Sequence, residues 1–477
     1  AASERREVSV TQALSYLTRA FRLRRGINWL PMALAYASLY FGRYNLTVAK
    51  SAFGDTGMTK AQFGDIFMWG SVVYGFSFLV TGPLVDKIGG RAGMLIGVFG
   101  AMMANLLMGV VVYGQQMWGW ELPVIQVIGL LYCVNMHFQS YGAISIVTTK
   151  APWFHVKERG NFSTIFGWII ATGIYFAFDL GGAVVAATRK EIKGELHWFG
   201  DFVRGVFGTG GSGVDQNWWV FFLPSIFMGT FWVMMYLWLK NTPAEAGYQN
   251  FNTGEATLTE SGQREPVRSV FIKILKHPVL QIVCIVEFFS GILRNGIMHW
   301  YTFFAPATGQ GGFWIMKNWG LCLLVCGIVG SWLTGQISDR YFNSRRAPMA
   351  VILYAVMLVS ACTMVFAIDK GPLVFGLGAL AISMAVTGVH GIFSGTATAD
   401  FAGTRNAGAA VAIVDGAVYL GSAFQSGVLG RLTPTGDAAK DPANWVGWPI
   451  FLIPAALIGM VLAARIWNAH PDSARKH

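Results

Sequence analysis

The sequence predicts an all-α membrane protein of twelve transmembrane helices, arranged as two pseudo-symmetric six-helix bundles. Three observations carry that reading. The 477 residues are 54% hydrophobic and only 12% charged, with mean hydropathy +0.49, whereas soluble domains carry about a quarter charged residues. Apolar runs long enough to span a bilayer come in two sets of six around one polar stretch. The two sets also repeat each other. Asp86 and Asp339 lie 253 positions apart, as do His137 and His390, and Gly142 and Gly395; Arg43 and Arg294 lie 251 apart. A parallel duplication of this kind puts a substrate site at the interface of the repeats, near mid-membrane.

Residues 1–25 are basic, with Arg19, Arg22, Arg24 and Arg25 just ahead of the first run, and no cleavable signal is expected. Residues 26–239 hold the first six runs and form the N-terminal bundle, with a Gly-rich polar insertion at 188–216. Residues 240–277 read as the linker, 278–467 as the C-terminal bundle and 468–477 as a tail. Lys and Arg concentrate in the terminal segments and the even-numbered loops, which puts both termini in the cytoplasm. The five cysteines fall inside apolar runs and predict neither a disulfide nor a metal site. The net charge of +11 is spread over loops, which fits membrane topology better than a nucleic-acid partner.

Two residues stand out against this background. Arg43 and Arg294 sit inside apolar runs, at matching places in the two halves. A guanidinium at membrane depth is expensive unless it faces a watery cavity or meets an anion. A phosphate monoester carries about −1.5 to −2 charges near pH 7, and guanidinium forks match its oxygens. One arginine per bundle would also let the anion draw the halves together, while an empty carrier would hold two unneutralised like charges. The alternative is a local carboxylate partner, and Glu287 lies seven residues before Arg294 on the same helical face.

Between the second and third runs, Gly82-Pro-Leu-Val-Asp86-Lys87-Ile-Gly-Gly-Arg91 resembles the signature of the major facilitator superfamily, and Asp339-Arg340 repeats it in the second half. An aspartate at a helix end can pair with basic residues and helix N-termini of the other bundle, a latch broken in each cycle. Narrower motifs resemble the organophosphate:phosphate antiporters within that superfamily. They are Arg43-Tyr-Asn, Trp153-Phe-His-Val-Lys157-Glu158-Arg159-Gly160, Asn241-Thr242-Pro243, Arg294-Asn-Gly296-Ile297-Met-His-Trp300, and Ala407-Gly408-Ala-Ala410 continuing to Tyr419-Leu420-Gly421, with Gln139 in register. The resemblance covers essentially the whole chain. It implies exchange of a phosphate ester for inorganic phosphate by rocking of two bundles, with the two arginines as phosphate ligands.

Departures from the family pattern surround that clamp. Tyr44 stands where one branch has lysine, and His299 where it has an acid. Losing both ends of an ion pair is self-consistent, since either left alone would be an unpaired buried charge. Phe78, Ile170 and Ala143 replace further family residues. The clamp is kept while its surroundings are rewritten, so the organic part of the substrate stays open.

Tyr36, Tyr40 and Arg43 share one helical stripe, and Asp415 and Tyr419 share another. Together with His137, Gln139, His299 and His390 they complete the candidate substrate residues. An acid inside a span is functional by default, so Asp415, with Glu287, is a candidate for proton coupling, an ion pair, or contact with substrate hydroxyls or an amine. Gly82, Asp86, Arg91, Asp339 and Arg340 are the candidate gate. Asp179 and Trp168 are read as surface or packing residues. No ATP-binding loop or catalytic constellation is present, so a non-enzymatic, cofactor-free secondary transporter is expected, monomeric, in a bacterial inner membrane. The alternatives are a proton-coupled carrier of another organic anion and a membrane-embedded phosphate-ester sensor.

Overall fold

The computed structural model describes residues 18–469, apart from 151, 155–158, 193, 211–212, 252–271, 274, 343–344 and 398–406. The expected linker, both terminal segments and the stretch after Trp153-Phe154 therefore fall largely outside the described residues. So do the side chains of Asp339 and of Ala407–Ala410.

The first half is built from α1 (Arg19–Gly57), α2 (Lys60–Ile88), α3 (Gly90–Trp118), α4 (Val124–Lys150), α5 (Arg159–Tyr175), α6 (Gly181–Ala187), α7 (Trp198–Phe207) and α8 (Trp219–Trp238). A π-helical turn, Phe176–Leu180, joins α5 to α6, so these three make one span. The second half contains α9 (Pro278–Met298), α10 (Trp300–Ala307), α11 (Trp314–Lys317), α12 (Trp319–Tyr341), α13 (Arg346–Ala367), α14 (Pro372–His390), α15 (Ala407–Leu432) and α16 (Gly447–Arg465). Here α9 and α10 form one span broken at His299, and α14 ends in a π-helical stretch, Gly391–Ala397.

Among the described residues, ten helical stretches are both long and apolar enough to cross a membrane. The other two long helices are α1 and α4, and these carry Arg43, Asn45, Asn135 and Gln139 inward. Their polarity serves the centre of the molecule. The 188–216 insertion adds α7 and folds back through Asp215, which accepts from Lys190 N at 2.9 Å and Arg189 Nη1 at 3.0 Å.

Local signals explain the joints. Thr59 and Gln62 form a reciprocal capping box at the start of α2. Gly89, at φ +87°, turns the chain from α2 into α3, a conformation that requires the glycine of the Asp86–Arg91 motif. Pro278 and Pro372 open α9 and α14, where a missing N–H costs nothing.

Packing repeats the duplication. In the first half α1 packs on α5 and α8, α3 on α4 and α8, and α2 on α4. In the second half α9 packs on α15 and α16, α13 on α14 and α16, and α12 on α14. Two equivalent pairs join the halves, α2 with α15 and α5 with α12.

The α2–α15 contact is made by small residues. Gly64 lies against Ser426 and Gly430, and Gly75 against Gly416. Toward the end of these helices away from the termini, Lys60 donates to Pro434 O at 2.6 Å and Arg431 grips Asp65 at 2.8 and 3.1 Å. At the same level Asp179 accepts from Gly320 N at 2.7 Å and Leu321 N at 2.9 Å. The carboxylate caps the N-terminus of α12 across the interface. Asp179 is thus more than a surface residue. The halves meet and are bonded on the face opposite the termini.

Inside the second half, α9 and α15 cross with backbone on backbone: Gly291 faces Val418 O and Gly421 faces Phe288 O. A side chain at either position must push the helices apart. Gly291→Leu and Gly421→Leu are each expected to cost about 1–3 kcal/mol or more, read as a lower melting temperature of the purified protein, while Gly182→Leu, which meets open space, leaves it near the parent value.

Candidate anion-binding site

Arg43 is fully buried on α1. Its Nε donates to Gln139 Oε1 at 2.7 Å and its Nη1 to the Tyr419 hydroxyl, a residue of the opposite half. The guanidinium also lies over the rings of Tyr40 at 4.4 Å and Tyr74 at 4.6 Å. Nη2 is buried and has no hydrogen-bond partner. Arg294, on α9, donates from Nη2 to the hydroxyl of Tyr44 at 3.0 Å, again across the interface, and stands 5.9 Å from the Tyr419 ring. Its Nε is also without a partner. Each half therefore sends an arginine to a tyrosine of the other, and Tyr419 touches both.

The side chain of Arg43 is held from behind by a chain of amides. Gln139 Nε2 donates to Asn135 Oδ1 at 3.0 Å, Asn105 Nδ2 donates to the same oxygen at 3.1 Å, and Asn45 Nδ2 reaches Asn105 Oδ1 at 2.8 Å. Asn135 and Tyr132 bind the carbonyls of Gly42 and Arg43, both at 3.0 Å. Buried networks of this kind fix geometry, although Asn45 Oδ1 at the end of the chain has no partner. In the second half Asn295 Nδ2 meets Ser422 Oγ at 2.5 Å, and the Trp300 indole donates to Gln425 at 3.0 Å.

Neither arginine makes an ion pair among the described residues. Glu287, the expected alternative partner for Arg294, turns elsewhere: Ser290 donates to its Oε2 at 2.8 Å, and His390 Nδ1 lies 3.3 Å from the same oxygen. Seven residues along a helix is about 10 Å of rise, too far for a shared face to become a contact. Asp415 likewise faces Ser394 at 2.6 Å and His390 Nε2 at 3.8 Å rather than a guanidinium.

The remaining candidates divide. Tyr36 and Tyr40 stack edge-on at 5.4 Å beside Arg43. His299 is fully buried in the break of its span, with Nδ1 2.7 Å from Thr47 Oγ1 and its ring 5.4 Å from Tyr44 and 4.5 Å from Phe67. It closes the site on the bonded face. His137 stands apart, 3.0 Å from Ser77 on α2, so the two histidines at repeat-related positions have different company.

Gly82 is half-buried and Asp86 exposed at the end of α2. Arg91 bonds within its own half, to Tyr236 O and, through its backbone N–H, to Asn241 Oδ1, both at 2.9 Å, while Arg340 is exposed. Trp168 is exposed on α5.

Tyr74 and, of the Asn45–Asn105–Asn135 network, Asn105 and Asn135 belong to none of the sequence motifs. Tyr44 was visible as a departure next to Arg43. The asparagines are polar residues inside apolar runs, the same signal of an inward-facing site that marks the arginines.

Comparison with known proteins fits this architecture. The family model described as Major Facilitator Superfamily matches residues 32–426, and the chain belongs to that superfamily of membrane transporters. Within it the chain is similar to organophosphate:phosphate antiporters. A glycerol-3-phosphate transporter of Bacillus subtilis (strain 168) is 25% identical, over 95% of each chain. A probable hexose phosphate transport protein of Chlamydia trachomatis is 24% identical over 94% of this chain and 91% of its own, and the membrane sensor protein UhpC of Salmonella typhimurium 22% over 91% and 90%. Among solved structures, a bacterial homologue of the human lysosomal transporter Spinster, in an inward-facing state, aligns with TM-score 0.64 at 15% identity, covering 93% of this chain and 98% of its own. A D-xylose–proton symporter aligns with TM-score 0.63 at 12% identity, covering 94% and 98%. These two share the fold.

If Asp179 bonds the halves, Asp179→Ala removes two charge-assisted bonds worth about 1.5–3 kcal/mol each at most. The expected outcome is faster maleimide labelling of a cysteine introduced at Thr47, which is 1% exposed, relative to the same cysteine with Asp179 intact.

Proposed function

We propose that this protein is a secondary transporter that exchanges a phosphate-bearing organic anion for inorganic phosphate by alternating access. One observation carries the reading: two guanidiniums, one from each half, converge on Tyr44 and Tyr419 with unpartnered nitrogens and no ion pair among the described residues. Two like charges held without a carboxylate favour a divalent anion, and a ligand bridging both halves binds best when they are drawn together. The names of the glycerol-3-phosphate and hexose phosphate transporters among its relatives support the substrate class. The loop charge bias supports cytoplasmic termini, the bacterial sources of its relatives support a bacterial inner membrane, and one chain supplies both arginines, so a monomer suffices. The bonded face is then extracytoplasmic, and substrate enters this state from the cytoplasm.

A sensor is the second reading, favoured by the similarity to UhpC. Reconstituted transport separates the two. Proteoliposomes preloaded with phosphate should take up labelled phosphate, and a phosphate ester should compete. Arg43→Lys and Arg294→Lys, each replacing a planar fork by a point charge, should lower phosphate affinity by roughly 10- to 150-fold, the loss of one charge-assisted hydrogen bond. Binding without counterflow would favour the sensor; exchange unaffected by both substitutions would overturn the clamp.

A further inference from the structure

A second polar cluster lies in the C-terminal half, one helical turn from the tyrosine that both arginines touch. Asp415 precedes Tyr419 by four residues on α15, so the two share a face. His390 stands between two carboxylates, Nδ1 3.3 Å from Glu287 Oε2 and Nε2 3.8 Å from Asp415 Oδ1. Ser290 and Ser394 donate to Glu287 and Asp415 at 2.8 and 2.6 Å. Asp415 and His390 keep 15% and 18% side-chain exposure, while Glu287 has none. The second oxygen of Glu287, Oε1, is buried without a hydrogen-bond partner. Arg294 from the same half, and Tyr36 and Tyr74 from the other, lie within electrostatic reach of Asp415; Tyr354 and Cys284 lie within reach of Glu287.

Charge accounting separates this cluster from the clamp. Two guanidiniums neutralise a phosphate dianion. Two carboxylates around one imidazole do not neutralise each other: even a doubly protonated ring leaves one negative charge, and at membrane depth an unmatched charge is costly. A neutral polyol on the substrate would leave that surplus to be met by a proton on one carboxylate. One ammonium group removes it, and the sum over clamp, cluster and ligand is then zero.

Resting on the phosphate reading above, we propose that the substrate is zwitterionic, a short aminoalkyl phosphate or phosphonate. Its phosphorus end meets Arg43 and Arg294, and its ammonium end meets Asp415, with Glu287 and His390 behind. Asp415, the carboxylate of the cluster that keeps some exposure and a neighbour of Tyr419, is the specificity-determining residue.

The test compares two ligands that differ in one group, 2-aminoethyl phosphate and 2-hydroxyethyl phosphate, titrated calorimetrically into the purified full-length protein. The amine should bind at least about tenfold more tightly, the equivalent of one well-placed charged contact. Asp415→Asn should bring the ratio close to one, and Glu287→Gln should lower it in the same direction. Equal affinities in the wild-type protein overturn the inference, as does a preference that survives both substitutions. The wild-type ratio is decisive even if a variant fails to fold. Inorganic phosphate, titrated into wild type, Arg43→Lys and Arg294→Lys, reports on the clamp alone. Phosphate binding that needs the arginines, with no amine preference, overturns only this inference; phosphate binding indifferent to them overturns the reading beneath it.

Discussion

Two inward-facing guanidiniums, Arg43 fully buried and Arg294 half-buried, each held by a tyrosine hydroxyl from the opposite half, are the constraint around which the molecule is organised. Holding one such charge inside the membrane is expensive, and holding two within reach of the same Tyr419 ring is more so. The fold meets part of the cost with polar groups that accept and do not neutralise: Gln139, Tyr419 and Tyr44, with the faces of Tyr40 and Tyr74. A carboxylate at either arginine would stabilise the empty protein and remove its reason to bind an anion. Glu287 and Asp415 are instead kept on His390. The polarity of α1 and α4, which sets them apart from the ten more apolar spans, follows from the same requirement.

Much of the fold was legible in the sequence because a bilayer imposes strong rules. Backbone groups in lipid must be satisfied within a helix, so apolar runs translate almost directly into spans, and the fixed spacing of Asp86 and Asp339 or His137 and His390 exposes the duplication. The pairing of α1 with α8 and α9 with α16, and of α2 with α15 and α5 with α12, follows from that symmetry. Interruptions within spans were less visible. Nothing local in Phe176–Leu180 distinguishes a π-helical turn from regular helix, because the turn is selected by where Asp179 must reach, on α12 of the other half. The break at His299 likewise answers to Thr47 and Phe67 on distant helices.

The site was legible where chemistry is conspicuous. Arg43, Arg294, Gln139 and Tyr419 were found because charge or pattern marked them. Partner choice was not, since it depends on axial distance as well as on helical face: Glu287 shares a face with Arg294 yet meets His390. The paired exchange of Tyr44 and His299 for charged residues was noticed as a departure, and its structural sense is now plain. The rings stand 5.4 Å apart, Tyr44 accepts from Arg294, and His299 Nδ1 pairs with the Thr47 hydroxyl. At these two positions the chain thus holds a neutral bridge between the halves.

The glycine contacts between α2 and α15 bear on how the halves can separate. Interlocked side chains leave shaped holes behind when surfaces part, and filling those holes demands new rotamers on both sides. Gly64 against Gly430 and Gly75 against Gly416 present nearly smooth backbone instead. Parting them gives up dispersion contacts that are individually weak and leaves no void to refill. Where glycine meets glycine the seam thus works as a plain bearing, and the resistance to movement lies in the polar fastenings at one end of it and in the arginine–tyrosine bonds at its centre.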